Sequence, residues 1–248
     1  MDDRTEFLDI AFDRLDLEAT LAWIAARGAD TPFAYLVTPN VDHVVRLERE
    51  PPASPVRAAY RAAALCLCDS RVLARLAALA GVRLPVVPGS DLTARLFDSV
   101  LSPGERICLI GGDEAMPAEL SRRWPGIEIV QHRPPMGLRS RPQAMAEAAA
   151  FAASSGARVT LLAVGSPQQE LLAHAIAVDP TARGTGLCIG ASVEFIVGRK
   201  ARAPRWMQRA GIEWLHRLLS EPRRLWRRYL VEGPAIFLLT LRWRRRHG

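Results

Sequence analysis

Asp69 closes an apolar run, Ala62–Cys68. A carboxylate at the carboxyl end of a buried strand is drawn toward a neutral-range pKa by partial burial and can accept the proton of an attacking hydroxyl. The simpler role open to it is helix capping ahead of Arg71–Ala80. Three other segments carry side chains suited to binding. Thr38-Pro39-Asn40-Val41-Asp42-His43 offers Thr38 and Asn40 to a sugar or phosphate, or leaves Asn40 as a plain N-cap. His43 lies further in and is more readily structural than catalytic. Gly111-Gly112 makes a tight turn whose backbone N–H groups can hold a phosphate. No complete G-x-G-x-x-G is present, so hydride transfer on a dinucleotide is not favoured. Gly165-Ser166-Pro167-Gln168-Gln169-Glu170 combines a glycine that permits close approach with two amides, Gln168 and Gln169, that suit a sugar or base edge. Glu170 complements a helix dipole.

Each of these segments follows a short apolar run. The runs Tyr35–Val37, Ala64–Cys68, Arg106–Ile110, Ile127–Val130, Val159–Val164 and Gly186–Ile189 read as strands. Between them lie helical patterns near 17–28, 41–50, 71–81, 91–101, 114–123, 141–155 and 168–178. Such alternation predicts an α/β fold: a Rossmann-like, mostly parallel sheet with helices on both faces. Ligands of such sheets bind beyond the carboxyl ends of the strands, so the four segments are expected at one rim. The expected organisation is a catalytic domain over 1–198 and a helical appendage over 199–248, which Pro222 and Pro234 divide into about three helices.

Charge separates the same two parts. Residues 1–198 carry 19 Arg against 23 acidic residues, whereas 199–248 carry 14 Lys and Arg against 3 acidic residues. Nearly all the cations are Arg, and Lys200 is the only lysine. Clustered guanidinium groups suit a diphosphate, and the interleaved Trp206, Trp214, Trp226 and Trp243 suit a core or a bilayer surface. A basic tail also fits RNA, but the chain has no recognisable nucleic-acid module, and nucleic acid is not expected as a partner. Cys66, Cys68, Cys108 and Cys188 lie in apolar runs and are expected as buried reduced thiols. No His/Cys/carboxylate set has metal-site spacing. The acidic start, Met1-Asp2-Asp3, does not resemble a signal peptide, and no run approaches the roughly 20 apolar residues of a membrane span. The expectation is a cytoplasmic protein, soluble or peripheral.

Arg202-Ala203-Pro204-Arg205-Trp206, then Gly211-Ile212-Glu213-Trp214-Leu215-His216-Arg217-Leu218 and Glu221-Pro222-Arg223-Arg224, closely resemble a signature of the WecG/TagA/CpsF glycosyltransferases, glycosyltransferase family 26. Thr38-Pro39-Asn40, Gly89-Ser90-Asp91-Leu92, Leu109-Ile110-Gly111-Gly112 and Gly165–Glu170 follow in the family's order, so the resemblance runs from about Asp9 to Tyr229. It implies an inverting transferase that uses a UDP-sugar, needs no metal or other cofactor, and extends a polyprenyl-diphosphate-linked acceptor for a bacterial surface polysaccharide. Known relatives add N-acetylmannosamine, its uronic acid, or glucose. The resemblance puts Asp69 in the place of the proposed base and Thr38, Asn40 and Gln169 at pocket positions. It implies that the appendage closes over the site with arginines for the diphosphate, here Arg202, Arg217, Arg224 and Arg227, and meets an anionic membrane at the inner face. It also suggests self-association.

Three departures stand out. Asp69-Ser70 replaces the usual Asp-Gly. Pro85-Val86 replaces Glu-Arg, which removes one pocket arginine, with Arg83 nearby but out of register. Gly190-Ala191-Ser192-Val193-Glu194-Phe195 replaces a Gly-Gly-x-Phe-Asp pattern. The lost arginine also fits an alternative, a weakened paralogue that binds lipid-linked glycan or scaffolds its assembly.

Overall fold

The computed structural model describes residues 4–247. Its centre is a six-stranded parallel sheet in the order β4-β3-β8-β7-β5-β6. The strands are β3 (Ala34–Val37), β4 (Leu65–Cys66), β5 (Arg106–Gly111), β6 (Glu128–His132), β7 (Val159–Ala163) and β8 (Thr185–Cys188). The inner strands are buried almost throughout, as strands covered on both faces must be. All six runs read from the sequence are strands of this sheet, with ends shifted by one or a few residues.

Helices cover both faces. One side holds α2 (Val41–Glu48), α3 (Pro55–Ala62), α4 (Arg71–Leu79), α7 (Pro142–Ser154) and α8 (Gln168–Val178). The other holds α1 (Leu17–Ala25), α5 (Gly89–Ser99), α6 (Met116–Arg123) and α9 (Ser192–Ile196). Two apolar clusters result, one on each side of the sheet. Capping fixes where the helices that bear the site begin. Asn40 Oδ1 accepts from the backbone N–H groups of Asp42 and His43 at the start of α2, and Ser70 Oγ accepts from Leu73 N–H at the start of α4.

The sequence reading leaves a hairpin, α3, α9 and a 3-10 turn (Leu138–Ser140) unassigned. The antiparallel hairpin, β1 (Arg4–Phe7) and β2 (Ile10–Asp13), turns through Leu8 and Asp9, both at positive φ. It seals the sheet edge: Asp13 Oδ2 accepts from Cys66 N–H at 2.7 Å, and Arg4 donates to the carbonyls of Ala63 and Ala64. The expected strand Ala64–Cys68 is regular only over Leu65–Cys66, although its flanks still bond β3, Ala64 N–H to Tyr35 O and Leu67 N–H to Val37 O, and Cys68 bridges Val86. Ser54 caps α3 and Pro55 opens it.

Beyond residue 199 the chain forms α10 (Arg205–Ala210), α11 (Glu213–Ser220), α12 (Pro222–Trp226), a π-helical segment (Arg227–Glu232) and α13 (Ala235–His247). This is more divided than three helices. Gly211, at φ 70°, ends α10, and Pro222 opens α12. The last helix doubles back. Trp243 packs edge-on against Phe7 with ring centroids 5.2 Å apart, and Ile236 joins the same core. The four cysteines are free and buried, and burial raises every thiol above its ordinary pKa. Among the described residues no helix is long and apolar enough to cross a membrane.

Candidate active site

The carboxyl ends of β3, β4, β7 and β8 open into a cavity of about 670 Å³, and the helices beyond residue 205 supply its far wall. Asp69 lies at the junction. Ser70, not Asp69, caps α4, so the aspartate is free for another partner. Its Oδ1 accepts from Gly89 N–H at 2.7 Å. Gly89 permits this crowding, because a side chain there would come within 3.2 Å of Ser192 Oγ and 3.3 Å of Thr38 Oγ1. Burial pushes the Asp69 carboxyl up to about 6, against the pull of the Gly89 N–H, the Arg217 charge and the Asn40 side chain.

Thr38, Asn40, Gly165 and Gln169 line the same cavity. Thr38 Oγ1 donates to Cys188 O at 3.3 Å. Gln169 is held on both sides: its Oε1 accepts from Gly190 N–H at 2.9 Å and its Nε2 donates to Glu170 Oε1 at 3.0 Å. Glu170 is fully interior, and burial raises its pKa, so it is an internal hydrogen-bonding group rather than a solvent-facing complement to the helix dipole. Tyr60 donates to it as well, at 3.3 Å.

The other sequence-predicted positions lie elsewhere. Gly111 and Gly112 do not line the cavity, so three of the four strand-end segments meet rather than all four. The reason is strand order: β7 lies between β5 and β8. Gln168 uses its amide outside the cavity, donating to Val164 O and accepting from Arg139 N–H. Among the arginines, Arg217 and Arg224 face in, whereas Arg202 and Arg227 do not. Arg202 pairs with Asp91 in the first turn of α5. Arg227 is exposed, with Glu232 at 3.5 Å. Arg83 is also outside the cavity.

Several lining residues escaped the sequence reading. Asp42 is buried and receives two guanidinium groups, Arg46 from one turn along α2 and Arg228 from the π-helical segment at 2.6 Å. The Asp42–Arg46 spacing of four was a visible signal; nothing in the sequence singled out Arg228 among its neighbouring arginines. His43, read as structural, lines the cavity with Nδ1 unpartnered. Burial and the charges of Arg46, Arg228 and Arg217 hold its pKa well below the ordinary value, so it is neutral. Arg71 and Glu213 complete the charged wall.

Among the described residues, the lining thus holds five arginines (Arg46, Arg71, Arg217, Arg224, Arg228) against three carboxylates (Asp42, Asp69, Glu213). Such a cavity attracts anions while keeping one carboxylate available as a base. Over residues 5–248 the chain matches the family model described as Glycosyl transferase WecG/TagA/CpsF family. With its parallel sheet, strand-end cavity and arginine-bearing helical wall, the protein belongs to the WecG/TagA/CpsF family of glycosyltransferases.

Proposed function

We propose that the protein transfers a sugar, with inversion, from a UDP-sugar to a polyprenyl-diphosphate-linked acceptor in the making of a bacterial surface polysaccharide. The observation that carries this reading is one cavity holding both Asp69, with its pKa raised to about 6, and the guanidinium groups of Arg217 and Arg224. Asp69 takes the proton of the acceptor hydroxyl. The freed oxygen attacks the anomeric carbon from the face opposite UDP, and the glycosidic bond to the diphosphate breaks as the new one forms. Negative charge then grows on the departing diphosphate. Preorganised guanidinium groups stabilise it most when water is excluded. Thr38, Asn40 and Gln169 orient the sugar, their own hydrogen bonds having fixed their side chains.

Arginine charge takes the place of a metal ion in this scheme. Residues 1–198 serve as the catalytic domain and the remainder as a lid. An anionic membrane at the inner face is the proposed platform. Phe237, Leu238 and Leu241 are exposed on α13, Leu230 and Val231 are exposed beside it, and Arg242, Arg244, Arg245 and Arg246 follow.

The direct test is UDP release from candidate UDP-sugars with a short-chain polyprenyl-diphosphate-linked sugar as acceptor. Acceptor-dependent release that Asp69→Asn abolishes supports the reading. Turnover of that variant within a few-fold of wild type removes Asp69 from the chemistry.

A further inference from the structure

The five cavity arginines are not equally committed. Arg46 and Arg228 share Asp42, and Arg224 is held by Glu221 at 2.6 Å. Arg217 stacks over the Phe195 ring at 5.6 Å. The Arg71 guanidinium makes no hydrogen bond or ion pair to any described residue, although Arg71 lines the cavity. A guanidinium that is uncommitted in a concave, positively charged site keeps its full donor fork for an arriving anion.

Its position says which anion. Arg71 lies two residues beyond Asp69, the group that must meet the acceptor hydroxyl. One turn further along α4, Arg75 donates to the carbonyls of Ala210 and Arg209 at the end of α10, which fastens this face of α4 to the outer helices. The Arg71 Cβ lies 3.6 Å from where a side chain on Gly211 would begin. Arg71 therefore stands between Asp69 and the α10–α11 corner, where Trp206 and Trp214 are exposed. A lipid-linked acceptor has the same order: sugar hydroxyl, then diphosphate, then hydrocarbon.

We infer that Arg71 binds the acceptor's diphosphate, gripping it between the base and the apolar corner, separately from the arginines that meet the leaving UDP. The inference rests on the acceptor chemistry proposed above. It is tested by binding without turnover. Calorimetry on the full chain measures affinity for farnesyl diphosphate, farnesyl monophosphate and UDP in wild type, Arg71→Ala and Arg71→Lys. Arg71→Ala should weaken farnesyl diphosphate about tenfold, erase its advantage over the monophosphate, and leave UDP within twofold. Arg71→Lys should fall between, because an ammonium cannot form the paired contacts. Loss of less than threefold for the diphosphate, an equal loss for UDP, or no binding of farnesyl diphosphate by wild type overturns the inference. A chain that binds through Arg71 yet transfers no sugar sinks the proposed reaction and leaves this site standing; transfer unaffected by Arg71→Ala does the reverse.

Discussion

Arg228 Nη2 lies 2.6 Å from Asp42 Oδ2, which ties the π-helical segment near the end of the chain to the first turn of the helix after β3. The same carboxylate holds Arg46, whose Nη1 donates to Ser166 O at 3.0 Å in the loop after β7. One buried anion thus joins two strand-end segments and the outer wall of the cavity.

Removing that anion should cost more than removing either cation. Arg228→Met leaves Asp42 paired with Arg46, and its expected cost is about 1.5–3 kcal/mol, the scale of a hydrogen bond to a charged group. Asp42→Asn leaves two guanidinium groups facing each other and should lower the melting temperature further. Both variants should weaken UDP binding, because the wall carrying Arg224 and Arg217 loosens. Thermal melts with calorimetry check this, and a more stable Asp42→Asn protein would contradict it.

The pH dependence follows from Asp69. Its folded pKa, about 6, lies above the ordinary value of 3.8, so the folded state binds the proton more tightly than the unfolded chain. The stability this group contributes is therefore greatest at low pH and declines as pH rises from about 4 to 6. The proposed reaction needs the ionised form, so kcat/KM should rise with pH and level off above about 6. Asp69→Asn should melt higher than wild type at pH 7 while its turnover falls by about 10²–10⁴. A rate flat from pH 5 to 7 would count against the assignment, as would a variant that melts lower.

Lys200 bridges Glu194 at 2.6 Å and Glu221 at 3.3 Å, and Glu221 holds Arg224. This relay runs from α9 to an arginine of the cavity. Lys200→Ala should raise the donor KM several-fold with a small loss in melting temperature, since these half-buried pairs still meet water and surface ion pairs contribute about 0–1 kcal/mol. Lys200→Arg should restore most of the affinity. Equal KM values for the alanine variant and wild type would show that Arg224 needs no such support.

Trp243 gives a stability prediction. It is buried against Phe7, so Trp243→Ala should cost about 3–5 kcal/mol. By the same argument, truncation at 199 should destabilise the sheet body as well as open the cavity, because it uncovers Phe7 and the hairpin. A truncated protein that melts like wild type would refute this.

The sheet was legible because its strands are apolar on both faces and punctuated by glycine and helix caps, a pattern that needs no tertiary information. The site was legible where it follows from that sheet: residues just past β3, β4 and β7 had to face one rim, whereas the stretch after β8, which also lines the cavity, was not singled out. Gly111-Gly112 failed because the order of strands, which sequence does not reveal, interposes β7. The arginines failed for a different reason. A guanidinium at the end of a long side chain can serve a ligand or a neighbouring acid. Only the fold shows that Asp91 has taken Arg202 and that no acid among the described residues claims Arg71. The hairpin was missed because each strand spans four residues and gains its stability from the sheet edge it plugs.

The four interior thiols carry a practical consequence. Each is shielded and, with its pKa raised, poorly nucleophilic at neutral pH, so maleimide reagents should leave the native protein untouched. A cysteine introduced at Phe237 or Leu241 would then be the one reactive thiol, and an environment-sensitive fluorophore attached there would read out directly whether the final helix enters lipid.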